Sequence, residues 1–225
     1  MGAAIGQVLI FAVGVALAPI PVVAVILMLA TPRGRLNGPV FVLGWVVGVA
    51  LVGTIVLLLS SGASASDHAK PATWVSILKL LGGVGLLLLA LRQYRERPRG
   101  DAPPKLPTWM KRVDRFDARR SAALGFGLGA LNPKNLIFIA GAAATIAQTG
   151  ASAGKQAVAL LVFVIVGSLG VALPVAIFLV MGERGQHILD GLRAWNAREN
   201  AVIIAVLCLL IGVKLIGDAI VGFTS

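Results

Sequence analysis

Acidic side chains are scarce in this chain: nine Asp and Glu stand against 20 Lys and Arg, and charged residues of both signs make up only 13% of the 225 positions. So little ionic surface cannot keep a globular domain in water, and with 58% hydrophobic residues and a mean hydropathy of +0.93 the solvent is a bilayer. A single cysteine, Cys208, sits inside an apolar run, which excludes an internal disulfide and a thiolate metal cluster and leaves packing as its role. The two histidines, His68 and His187, fall in separate loops on opposite sides of the membrane, so neither is a metal ligand or a catalytic base. There is no P-loop, no nucleophile elbow and no paired carboxylate, which excludes an ATP-driven pump in this chain alone and argues against an enzyme. The GlyPheGlyLeuGly stretch (125–129) lacks the spacing and the preceding strand of a dinucleotide fingerprint. No cofactor and no metal are expected.

What is abundant is apolar sequence in long runs. A spanning helix needs about 20 mostly apolar residues, and runs of that kind lie at 3–29, 38–61, 73–93, 121–148, 155–181 and 199–222. The expectation is an all-α integral membrane protein of six transmembrane helices forming one transmembrane domain over 1–225. The first positive charge is Arg33, so the opening run lacks the charged flank of a cleaved signal and is expected to stay as a helix.

Charge orients the bundle, because Lys and Arg are retained on the cytoplasmic side. The loops after the first, third and fifth spans hold 15 of the 20 basic residues, and the second and fourth loops hold Lys70 and Lys155 alone. Both termini are therefore expected outside the cytoplasm, and the net charge of +11 reports topology, with no nucleic-acid partner implied. The basic third loop (94–120) opens with a proline-rich linker at 98–107, after which Thr108 can cap a short interfacial helix. Trp109, Val113 and Phe116 share one face of that helix, and Lys111, Arg112, Arg115 and Arg119 share the other. A solvated basic connector is the plainer alternative.

The spans before and after this loop carry the same marks in the same order, which divides the chain into halves at 1–93 and 121–225. LeuLysLeuLeuGlyGlyValGlyLeuLeu (78–87) aligns without gaps on LeuCysLeuLeuIleGlyValLysLeuIle (207–216), with Gly83 on Gly212. Gly48 pairs with Gly167, and ProIlePro (19–21) with AsnProLys (132–134). Three spans per half is an odd number, so the halves must be inverted repeats. Gly44 and Gly48, and Gly125 and Gly129, put small residues on one helix face for close contacts, while Pro174 marks a kink in the fifth span.

Pro19 and Pro21 fall near the middle of the first span and Pro133 near the middle of the fourth, where each removes a backbone hydrogen bond at a cost of about 3 kcal/mol or more. Broken or kinked first and fourth helices follow, and paired breaks at the midplane offer freed amides and positive dipole ends to an anionic group. The alternative is a pair of kinks satisfied by neighbouring helices or water. Lys134 lies roughly a dozen residues from either end of its span, beyond comfortable snorkelling, so it must face a cavity or a partner such as Asp218. Pro19, Pro21, Asn132, Pro133 and Lys134 form the candidate substrate site. Asp218 is the one acid inside a span and stands four residues after Lys214, which predicts an ion pair or, if it protonates reversibly, a coupling group. Lys79, six residues into its span, is expected to snorkel.

AlaProIleProValValAlaValIle (18–26), ThrProArgGlyArgLeuAsnGly (31–38) leading into LeuGlyTrpValValGly (43–48), and AlaLeuAsnProLysAsnLeu (130–136) resemble the glycolipid-addressing protein family, which includes the sulfolipid-addressing proteins, within the lysine exporter superfamily. The resemblance covers essentially the whole chain. It implies a six-helix exporter or flippase of cell-envelope glycolipids or their anionic precursors in the inner membrane, with Arg33 and Arg35 as a cytoplasmic gate beside the proline and AsnProLys positions. Two other readings stand beside it: an exporter of amino acids or other small solutes, and a non-transporting accessory subunit of an envelope-lipid assembly. Membrane lipids and a lipid or glycolipid substrate are the expected partners, and a homodimer or an envelope-lipid export machinery the candidate assemblies.

Overall fold

The computed structural model describes residues 2–66, 73–95 and 116–224. These form eight α-helices and no strand: α1 (Gly2–Ala16), α2 (Pro19–Leu29), α3 (Gly34–Ser66), α4 (Thr73–Arg95), α5 (Ala118–Ala130), α6 (Pro133–Gln148), α7 (Ala153–Met181) and α8 (Gln186–Thr224). The linker at 98–107, the expected interfacial helix from Thr108 as far as Arg115, Lys70 and His68 lie outside the described residues; of that helix's remaining positions, Phe116 is not helical and Arg119 belongs to α5, which Asp117 caps.

Proline decides where the apolar runs break. A residue before proline is pushed out of the helical region, and Ala18 (φ −71°, ψ 113°) and Asn132 (φ −70°, ψ 119°) both obey, each ending one helix and starting the next with proline at its first position. α1 and α2 are bent by 53° at their break. Pro21 lies inside the first turn of α2, where its missing N–H costs nothing, so Pro19 alone makes that break. Pro174 does not interrupt α7, which runs through it from Ala153 to Met181.

Long rows of exposed apolar side chains, including Leu43, Val47, Leu51 and Ile55 on α3 and Leu161, Ile165, Leu169 and Leu173 on α7, face outward, whereas Trp45, Phe11, Phe41, Phe138 and Phe163 are buried. An apolar exterior of this extent needs lipid around it, and the chain is a membrane protein. Among the described residues Gly34–Ser61, Ala153–Met181 and Ile204–Phe223 are long and apolar enough to cross a bilayer singly, and the bent α1–α2 pair makes a fourth candidate. α8 is one helix of 39 residues, about 58 Å at 1.5 Å per residue, nearly twice the hydrocarbon thickness. The segment expected to be the fifth loop is thus largely helical, and His187 belongs to the first turn of α8. Its charged residues mark where the helix leaves apolar surroundings; without a proline there, nothing stops it.

Glycine sets the closest helix contacts. A Cβ on Gly44 would stand 2.2 Å from the Ala122 carbonyl and one on Gly125 2.1 Å from that of Phe41, so α3 and α5 touch backbone to backbone along the two glycine rows. α7 meets α1 the same way at Gly170, whose Cβ would lie 1.8 Å from the Ala16 carbonyl. Between α4 and α8 the contact is reciprocal: a Cβ on Gly83 would approach the Gly212 carbonyl to 2.8 Å, and one on Gly212 the Gly83 carbonyl to 3.0 Å.

Candidate functional site

The two breaks open on one cavity. Its volume is ≈ 360 Å³, and its wall includes Ala18, Pro19, Ile20 and Pro21 from the start of α2, Asn132, Pro133 and Lys134 from the start of α6, Arg92 and Gln93 from α4, and Cys208 from α8. All five candidate substrate residues therefore come together, although more than 100 positions separate Pro21 from Asn132.

The two helix starts differ in chemistry. At α6 the Asn132 side chain accepts the Lys134 amide at 3.1 Å, a cap that fixes the first turn. At α2 no side chain caps Ala18, and because Pro19 and Pro21 lack N–H groups, Ile20 holds the one amide among the first three positions. Lys134 Nζ donates to the Gly14 carbonyl at 3.2 Å and stands 5.6 Å from the centre of the Phe138 ring. Its partners are thus a carbonyl near the end of α1 and an aromatic face, and it has no contact with Asp218. An ammonium with three donors and one carbonyl bond keeps donors for a ligand in the cavity.

Asn135 was not among the candidates read from sequence. It is fully buried; its amide donates to the Leu128 carbonyl at 3.0 Å, while its Oδ1 has no hydrogen-bond partner among the described residues. The break leaves the last carbonyls of α5 without helical donors, and Asn135 reaches back across it to satisfy one. The signal for this was present as a second asparagine, three residues after the first.

Arg33 and Arg35 are exposed, in the α2–α3 turn and the first turn of α3, and neither lines the cavity. Lys214 and Asp218 form the expected pair at 2.7 Å, but at a different place. There they meet Lys79, whose snorkelling expectation fails: it is 4% exposed, donates to Gln148 Oε1 and stands 3.8 Å from Asp218 Oδ2. An acid on α8 and an amide at the end of α6 give its ammonium polar partners inside the bundle, so it has no need to extend to the surface.

The family described as Sap, sulfolipid-1-addressing protein, matches residues 8–221. The chain belongs to this family. No curated protein and no solved structure matches it. The sulfolipid-1-addressing match takes in both helix breaks, the whole wall of the shared cavity, and Lys79, Lys214 and Asp218.

Proposed function

We propose that this member of the sulfolipid-1-addressing family is a secondary exporter or flippase for cell-envelope lipids or their anionic precursors, with the head group held in the cavity between α2 and α6 and the tail left in membrane. The observation that carries this reading is the convergence of both helix starts and Lys134 on one space. Helix N-termini favour negative charge by about 0.3–1 kcal/mol each, and a charge-assisted hydrogen bond adds about 1.5–3 kcal/mol. Lys134, the Ile20 amide, Arg92, Gln93 and Asn132 are polar groups of that wall.

In this reading α4 and the α5–α6 pair complete six spans, and the halves are inverted repeats. Support comes from the matching backbone angles before Pro19 and Pro133 and from the reciprocal approach of Gly83 and Gly212. Residues equated by a two-fold axis meet each other where that axis passes. Rocking of one half against the other would alternate access, in the inner membrane, with the basic loops cytoplasmic and both termini outside. No chemistry on the cargo is involved. A volume of ≈ 360 Å³ also suits a free amino acid or similar solute, which keeps small-solute export as the second reading.

The test is transport by the purified protein in liposomes, with a fluorescent or isotopic anionic glycolipid in one arm and amino acids in the other. Lys134→Ala is expected to insert normally and to lower lipid export by at least about tenfold, the equivalent of one charge-assisted bond. Undiminished export by that variant would remove the cavity from the mechanism, and amino-acid movement without lipid movement would select the second reading.

A further inference from the structure

A second polar cavity, of ≈ 310 Å³, lies far from the first and is lined by Gln7, Lys79, Thr145, Gln148, Thr149, Lys214 and Asp218. Lys79 and Arg92, which mark the two cavities on α4, are 13 residues apart, about 20 Å along the helix. The cavity gathers the second turns of α1 and α4, the last turn of α6 and the C-terminal third of α8, so it lies toward the opposite end of α4 from Arg92.

Among the described residues its charge does not balance. Lys79 and Lys214 both turn to one oxygen, Asp218 Oδ2, at 3.8 and 2.7 Å, so two ammonium groups share a single carboxylate. The Lys79 side chain is 3% exposed, and a buried cation needs full compensation. Lys214 has the closer hold on the carboxylate and also stands 5.9 Å from the centre of the Phe11 ring. Among the described residues the nearest acceptor of Lys79 is the neutral Gln148 side-chain carbonyl, with the Asp218 carboxylate farther off at 3.8 Å. That bond uses the oxygen of the Gln148 amide and turns its NH2 group away from the ammonium, adding a donor that suits an anion. The sign of the excess rules against a cation as the occupant.

We propose that this cavity is a second binding site, for one oxyanion group, a sulfate or phosphate, free or on a head group, with Lys79 as its principal ligand and Lys214 and Gln148 beside it. The assignment is independent of the transport reading and of the cavity at the helix breaks.

The experiment is calorimetric titration of the detergent-purified full chain with sodium sulfate, against sodium chloride at equal ionic strength, for the wild type and for Lys79→Gln, Asp218→Asn and Lys134→Ala. Lys79→Gln leaves Lys214 and Asp218 as a neutral pair and is expected to weaken the sulfate component at this cavity by about tenfold or more. Asp218→Asn removes the competing carboxylate and is expected to tighten that component, the opposite of what loss of a merely structural ion pair would do. Lys134→Ala is expected to leave it in place. Sulfate binding unchanged in Lys79→Gln, or weakened in a folded Asp218→Asn protein, would overturn the site. Loss confined to Lys134→Ala would likewise overturn it while leaving the cavity at the breaks intact; loss confined to Lys79→Gln would support it and count against the other. Repeating the titration in nanodiscs of phosphatidylglycerol and of phosphatidylcholine identifies the source of the anion. Competition by the anionic lipid supports a head group, and equal binding in both supports a free ion.

Discussion

At the scale of single residues, the cavity between the broken helices depends on side chains that repair the break as much as on those that face the ligand. Asn132 caps α6 from outside, Asn135 satisfies the end of α5 from within, and Lys134 between them reaches the Gly14 carbonyl of α1. Replacing Asn135 by Ala leaves the part-buried Leu128 carbonyl without that donor, at a cost of about 1 kcal/mol, so a fall in the melting temperature of the detergent-solubilised protein is expected. A melting temperature equal to the wild type would mean that another donor or water already serves this carbonyl. Lys134 was legible in the sequence because an ammonium deep in an apolar run demands a cavity or a partner. Asn135 and Lys79 were not, because their roles depend on which helices lie beside them: Leu128 is across a break, and Gln148 and Asp218 are on other helices.

At the scale of elements, proline and glycine carried most of the readable information. Pro19 and Pro133 fix both breaks through the backbone of the preceding residue, an effect local enough to be read from two adjacent letters. AlaLeuAlaPro (16–19) and AlaLeuAsnPro (130–133) show the same correspondence more directly than the ProIlePro and AsnProLys pairing, with the cap residue as the one difference. The glycine rows on α3 and α5 were equally legible, since small residues four apart have few other uses in a membrane helix. GlyPheGlyLeuGly supplies its own control. Gly125 has the Phe41 carbonyl 2.1 Å from where its Cβ would stand, and Gly127 has nothing within 4 Å. Gly125→Ala is expected to destabilise the protein by about 1–3 kcal/mol through forced separation of α3 and α5, whereas Gly127→Ala should be neutral or stabilising by up to about 1 kcal/mol. Equal thermal stability of the two variants would contradict the backbone contact. The extent of α8 was hidden because charged residues ahead of its apolar part read as a loop, although charge ends a span and not a helix.

At the scale of the whole molecule, the proposed topology makes one prediction from the charge bias, with the basic loops cytoplasmic. Arg33, Arg35 and Arg184 lie where α2 gives way to α3 and α7 to α8, and the cluster of Lys79, Lys214 and Asp218 lies toward the other end of the bundle. Because Cys208 is the sole cysteine, a Cys208→Ala background accepts single reporter cysteines without interference. A cysteine at Arg35 is expected to be labelled by an impermeant maleimide only after the cytoplasmic side is opened, and one at Ala151 in intact spheroplasts. The reverse pattern would invert the topology and, with it, the direction of export.

The central claim is that Lys134 and the starts of α2 and α6 together hold an anionic head group, and native mass spectrometry of gently solubilised protein tests it most directly. The wild type is expected to carry a bound anionic lipid or glycolipid that is lost in folded Lys134→Ala; the same lipid at the same occupancy in both proteins would contradict it.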